Sequence, residues 1–268
     1  MSIAASNIDF RTSQSYALGM GQQGTTAAPV AAGQFNATAG RDLVLGRLNI
    51  TTSLGNFATA GDVTAITLQG QSLMCSNQNA SIRGFDPSIQ MDENFIGAGL
   101  VQNGAFSVSF ANLTNAAAVQ ASVLCDPWST ETLGEVPSPD SSPSMLNYVF
   151  GMGNIAIGAG ATVNLVATAL RPCVLGRLYL DAHDNAAPPG NYALEPNVQV
   201  NQILINNTEQ LAEATNLSTS LSNFSLFSLS SSINLNQFVP MNGTVSINLT
   251  NTTLVPLVVR GHFFCNYS

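Results

Sequence analysis

The chain has 268 residues and a formal net charge of −8; only 8% of its residues are charged, and all seven basic ones are arginine. Scattered arginines in an acidic chain exclude a phosphate-binding groove, which needs clustered cations. At 45% hydrophobic the chain can bury a full core, but its surface must be built from Asn, Gln, Ser and Thr, a composition that resists self-association poorly and suits packing against copies of itself.

The chain opens on MSIAASNIDFRTSQS, which lacks a basic segment followed by an apolar run, so a protein that is not secreted is expected. Residues 1–16 read as an N-terminal arm. Beyond them a period of two dominates: Val108 and Phe110 alternate with Ser107 and Ser109, a strand with one buried face. Pro127, Pro137, Pro139 and Pro143 then mark an irregular Pro/Ser-rich linker over 127–148. Phe150 to Leu170 has membrane-helix length without a charge, but its four glycines and its V-N-L-V-A alternation favour strands. The segment Asn206 to Leu217 predicts a short helix, with Asn207 and Gln210 as a capping box and Glu209 and Glu213 in the first turns. Alternation returns in Ile233 and Leu235, and in Val245, Ile247 and Leu249.

The chain also repeats itself. V-L-G-R-L runs from Val44 and again from Val174, 130 residues on. G-M-G stands at Gly19 and at Gly151, 132 apart. DVTAITLQGQ from Asp62 resembles NVQVNQILIN from Asn197, 135 apart; N-L-T-N recurs from Asn112 at Asn248, 136 apart; Cys125 and Cys265 close the series, 140 apart. Five weak matches in one order imply an internal duplication, with copies over 17–126 and 149–268. Each copy has the size of a sandwich of short strands. The expected fold is therefore all-β: two tandem jelly-roll or Greek-key β-sandwich domains. The immunoglobulin pattern is absent, since Trp128 follows the second cysteine.

The chemistry-bearing residues are few. The G-M-G stretches fit a dinucleotide fingerprint, but neither opens a helix, so two turn glycines are the better reading. Only His183 and His262 exist, and neither lies in a cupin H-x-H or near a G-x-S-x-G elbow, so no enzyme is expected. His262 reads as a satisfied or surface residue of an alternating strand. Asp181 and Asp184, in DAHDN, are weak calcium candidates in what reads as a polar turn; Asp92 and Glu93 are weaker. No other cofactor is implied. Cys75, Cys125, Cys173 and Cys265 lack metal-finger spacing and read as buried free thiols. Arg47 and Arg177, inside the repeated motif, read as structural or interface residues, able to pair with an acid of the same or a neighbouring subunit.

A duplicated sandwich with a nearly uncharged surface and no catalytic constellation resembles the double jelly-roll major capsid proteins of tailless icosahedral DNA viruses. The resemblance spans nearly the whole chain and is one of architecture, without a diagnostic motif. It implies a structural coat protein forming homotrimers that are pseudo-hexameric and tile a virion shell. It also implies other virion proteins as partners, no direct contact with nucleic acid, a viral membrane as a possible layer beneath, and assembly in the host cytoplasm. The arm Met1 to Tyr16 and the tail near Tyr267 would reach neighbours. The competing reading is a carbohydrate-binding or spike-like tandem sandwich, which predicts clustered exposed aromatics.

Overall fold

The computed structural model describes residues 16–24, 28, 30–53, 61–87, 95–113, 117–127, 147–184, 197–211, 218–224 and 234–266. The arm 1–15, Asp92, Glu93, most of the linker with Trp128, and Tyr267 lie outside them. Among the described residues there is no α-helix, and no helix is long and apolar enough to cross a membrane. The first half contains β1 (Tyr16–Gln23), β2 (Gly33–Thr38), β3 (Leu43–Thr52), β4 (Asp62–Leu68), β5 (Gln71–Ser72), β6 (Ala80–Ser81), a 3-10 turn at Ile82–Phe85, β7 (Phe95–Leu100), β8 (Ala105–Ala111) and β9 (Val119–Pro127). The second contains β10 (Asn147–Ile157), β11 (Thr162–Thr168), β12 (Cys173–Asp184), β13 (Val198–Ile205), β14 (Thr208–Glu209), β15 (Thr219–Ser220), a 3-10 turn at Leu221–Phe224, β16 (Asn234–Val239), β17 (Thr244–Asn251) and β18 (Leu257–Asn266).

Four antiparallel sheets result. Orders β1-β9-β3-β7 and β2-β8-β4-β5 make one sandwich, and β10-β18-β12-β16 and β11-β17-β13-β14 make the other. In each, the long consecutive strands alternate between the two sheets, the short β5 and β6 and the short β14 and β15 staying beside β4 and β13, and the last strand returns beside the first, which is the jelly-roll winding. Period-two alternation drives the strands with one face in water: β8 and β17 bury Phe106, Val108 and Phe110, and Val245, Ile247 and Leu249, while the residues between stay half-exposed. Each such side chain contributes about 1.5–3 kcal/mol by leaving water.

The sandwiches match strand for strand and in register. β3 breaks its pairing with β9 between Leu45 and Leu48, and β12 breaks its pairing with β18 between Leu175 and Leu178. Arg47 and Arg177 sit at these equivalent irregularities, both half-buried. The G-M-G stretches are not turns: each forms a bulge in its sandwich's first strand, with Gly21 at φ 84° and Gly153 at φ 77°, conformations that favour glycine, and with the methionine between turned into the core. Leu45 lies opposite Cys125 as Leu175 lies opposite Cys265, so the cysteine match is also structural. Two other matches slip. Val63 stands opposite Phe110 at a bulge as Val200 stands opposite Leu249, so Asp62 corresponds to Gln199, not to Asn197. Likewise Asn251, not Asn248, takes the place of Asn112, because Asn248 lies inside β17 whereas Asn112 follows β8 at φ 56°.

The segment from Phe150 to Leu170 holds most of β10 and all of β11, which lie in the two different sheets of the second sandwich and are joined by a turn at Gly158–Ala161 with Gly160 at φ 66°. The expected helix is absent from 206–211; residues 212–217 lie outside the described part. Asn206 and Asn207 take positive φ and make a two-residue hairpin turn between β13 and β14. Glu209 caps no helix; its Oε1 accepts from the amides of Ile203, Gln210 and Leu211. The turn-forming preference of Asn-Asn overrides the weak helix pattern.

A strap, residues 73–79 of the first half, docks on the second sandwich. Val149 N–H donates to Leu73 O, Cys75 N–H to Val149 O, Leu170 N–H to Cys75 O, Asn77 N–H to Thr168 O and Gly153 N–H to Asn79 O, all within 2.8–3.0 Å. Ser76 Oγ donates to Gly151 O at 2.7 Å. The strap lies so close that a Cβ on Gly151 would collide with the carbonyls of Gln78 and Asn79. The equivalent Gly19 faces open space. Gly151→Ala is therefore expected to destabilise the protein by about 1–3 kcal/mol, and Gly19→Ala to change stability by less than about 0.5 kcal/mol, in paired denaturant titrations.

Candidate functional site

The buried polar residues gather where the halves meet. Where β9 alternates, with Gln120 exposed and Ser122 half-exposed, β18 is buried continuously from Leu257 to Cys265. β12 is buried from Leu178 to His183. The core side of β12 is apolar, with Leu178, Leu180 and Ala182; its outer side carries Tyr179, Asp181 and His183, and Asp181 meets Ser81 of β6 in the first half. A sheet buried on both faces reads as an unbroken run, and its polar residues then need partners.

Asp62 and Arg260 form the centre. Arg260 Nε donates to Asp62 Oδ1 at 3.0 Å, with the two side chains 6% and 1% exposed. Asp62 Oδ2 accepts from Asn112 Nδ2 at 2.7 Å and Asn154 Nδ2 at 2.8 Å, so the carboxylate joins both halves. Arg260 Nη1 also contacts His183 Nε2, while His183 Nδ1 lies 2.8 Å from Asp184 O. That network assigns the proton to Nδ1 and leaves Nε2 to accept from the guanidinium. Burial first, and the Arg260 charge second, hold the His183 imidazole below its ordinary pKa; Arg83, 1% exposed, acts in the same direction. His183 thus has no spare lone pair to serve as a general base.

His262 is neither at the surface nor satisfied. It is fully buried, and neither ring nitrogen has a hydrogen-bond partner. Phe85 stacks on it at 5.7 Å, Phe264 meets it edge-on at 4.7 Å and Tyr179 lies tilted at 4.9 Å. Gly84 passes so close that any side chain there would overlap the ring. Desolvation lowers its pKa to about 3 despite the nearby Asp181.

Asp181 and Asp184 lie in strand β12, not in a turn. Asp181 Oδ2 accepts from Ser81 Oγ at 2.5 Å across the seam. Three positions apart on one strand, the two carboxylates project to opposite faces. All four cysteines are buried free thiols. Sequence spacing gave no sign that three of them meet: the sulfurs of Cys75, Cys173 and Cys265 lie within 4.8 Å of one another, and Cys75 and Cys265 are 3.1 Å apart. Cys75 comes from the strap, Cys173 from the start of β12 and Cys265 from the end of β18. Thiol donors around Cys173 pull its pKa well down, while burial pushes Cys75 and Cys265 up.

No known family model matches the chain, and no curated protein sequence does. In fold it resembles solved major capsid proteins. The major capsid protein P2 from bacteriophage PM2 is 11% identical with a TM-score of 0.41, over 94% of this chain and 98% of that one. The STIV major capsid protein is 9% identical with a TM-score of 0.41, over 94% of each chain.

Two outcomes follow from the seam. Replacing Arg260 by Met strands a buried carboxylate at Asp62 and is expected to cost about 3–5 kcal/mol in equilibrium unfolding. Both histidines have folded-state pKa values below the ordinary 6.5, so the unfolded chain takes up protons that the folded chain refuses. Their stabilising contribution is complete above about pH 6.5 and is lost as pH falls toward the folded-state values, about 3 for His262. Denaturation measured from pH 7 to pH 4 is expected to show this decline, and His262→Leu to make it shallower.

Proposed function

We propose that this chain is a structural coat protein that assembles as a trimer and tiles a virion shell. The observation that carries the reading is an inequality between equivalent faces. The outer face of β10, β18 and β12 is covered by β6 and the Ile82–Phe85 turn. The equivalent face of β1, β9 and β3 holds a depression of about 300 Å³ lined by Gly21, Gln22, Asn49, Thr51, Gln120, Ala121 and Ser122. Within it Asn49 Oδ1 is buried without a hydrogen-bond partner. The Leu221–Phe224 turn, counterpart of the one that covers the seam, keeps Asn223 exposed and Ser222 half-exposed, where Arg83 and Gly84 are buried. Among the described residues, one half therefore leaves this face open and the other leaves the tip of its turn exposed at Asn223.

Joining the turn of one copy to the face of the next repeats the internal contact between chains. Such head-to-tail contacts make a ring when the rotation closes, and three chains close one of six sandwiches when each step turns a sixth of a circle. Matching topology and register support an origin by duplication, and a six-lobed block fills a hexagonal lattice position. The low charge suits broad contacts between blocks. In this reading residues 1–16 and the tail near Tyr267 reach neighbours, 127–148 links the two barrels, and Arg47 and Arg177 lie at structural or subunit contacts. The shell meets other virion proteins, a membrane where the virus has one, and not the genome directly. The depression is lined by amides, hydroxyls, glycine and alanine, with no ring on which a sugar could stack, so the carbohydrate-binding reading gains nothing from it.

Size-exclusion chromatography with light scattering is expected to give a trimer, and electron microscopy to show particles or hexagonal sheets. Thr51→Arg and Asn223→Arg, at opposite ends of the proposed contact, should each yield a folded monomer with an unchanged circular dichroism spectrum. A monomeric wild-type chain, or variants that remain trimeric, would overturn the docking scheme.

A further inference from the structure

We propose that Cys75, Cys173 and Cys265 form a three-thiolate site for a soft metal ion, with monovalent copper the best-fitting occupant, and that the ion fastens the strap to the second sandwich. The geometry supports this directly. A metal–sulfur bond of about 2.3 Å places the sulfurs of a three-coordinate ion about 4 Å apart. The sulfurs here span 3.1 Å to within 4.8 Å, so small side-chain rotations bring all three to an ion between them. Thiolates select soft ions, and a dry set of three donors suits trigonal copper(I) better than zinc, whose structural sites take four. Among the described residues the group holds these three ligands and no His, Asp or Glu.

The surroundings fit an anionic cluster. Arg171 lies with its guanidinium 4.9 Å from the Tyr148 ring, and its charge favours ionised Cys75 and Cys173. Cys265 Sγ donates to Tyr148 O at 3.3 Å, so loading costs it that hydrogen bond. One copper(I) replaces the thiol protons of Cys75, Cys173 and Cys265 and changes no oxidation state. The cluster carries two negative charges, and Arg171 offsets one.

The site exists only because of the strap. Cys125 holds the position of Cys265 in the first sandwich, and Leu43 holds that of Cys173. No strap crosses there among the described residues. Cys125 therefore serves as an internal control, a buried thiol in the matching strand without the other two.

The test uses the full-length chain, reduced and anaerobic, titrated with copper(I) against a chromophoric chelator, with zinc in a parallel arm. The expected result is one copper(I) per chain, a raised melting temperature, and affinity that weakens as pH falls, because the metal competes with the thiol protons. Cys75→Ser, Cys173→Ser and Cys265→Ser should each lower the affinity at least tenfold, and Cys125→Ser should leave it unchanged. Circular dichroism establishes that each variant is folded, and Cys173→Ala provides a second substitution where Cys173→Ser is not. Failure of the reduced wild type to hold copper(I), retention of full affinity by a folded triad variant, or zinc bound as tightly as copper would overturn the proposal. Formation of a Cys75–Cys265 disulfide in a chain that takes no copper when reduced would overturn it equally. Because the titration reads metal on a single chain, its failure leaves the trimer reading untouched.

Discussion

Everything distinctive about this molecule depends on the desolvation of one sheet face. The outer side of β10, β18 and β12 would meet water in an isolated jelly roll, as its counterpart in the first half does. Here the segment from Leu73 to Phe85 covers it. The strap meets β10 and the end of β11 through backbone hydrogen bonds, and the Ile82–Phe85 turn closes over β18 with Phe85 against His262. Once that face is dry, each polar atom on it must find a partner or shed its charge. Asp62 gathers Arg260, Asn112 and Asn154; Asp181 takes Ser81; the two imidazoles are held neutral.

This contact also makes the halves one body. Surface ion pairs would hold them weakly, but a seam with paired ions inside an apolar frame has few alternative alignments. Shifting β18 by one residue against the first half would withdraw Arg260 from Asp62 and put Val259 or Gly261 in its place, leaving a carboxylate with no cation. Gly84 and Gly151 add a steric limit, since each admits the opposing chain only because it lacks a side chain. The polar seam thus sets the register of the contact, while buried apolar surface supplies most of its free energy.

The winding was largely legible in the sequence. Alternation in Phe106–Phe110 and Val245–Leu249 marks strands with one wet face, and the repeated V-L-G-R-L and G-M-G mark equivalent bulges. Two of the misreadings share one cause. D-A-H-D looked like a turn, and His262 like a surface or satisfied residue, because both were judged as parts of a sandwich facing water. Only the chain that packs across them reverses that judgement, and it comes from residues about a hundred or more positions away. The three thiols were hidden for the same reason, since Cys75 joins Cys173 and Cys265 through the strap. The helix expected from Asn206 fails over 206–211 for a local reason instead: two asparagines at positive φ make a hairpin turn that a capping box cannot outweigh.

The two equivalent faces carry different chemistry at matching positions. Where β12 and β18 carry Tyr179, Asp181, Arg260 and His262, β3 and β9 carry Asn49, Thr51, Gln120 and Ser122 at the matching positions. The first set contains an acid and a base that are stable when buried only against one complementary surface. The second set contains neutral amides and hydroxyls, which leave no charge stranded whether the face is open or closed. A permanent contact tolerates buried charge because it is never exposed unpaired, whereas a contact that forms between separate molecules is favoured by groups that lose little on drying. Neutral residues at the matching positions of the open face are the composition that the proposed contact between copies would require.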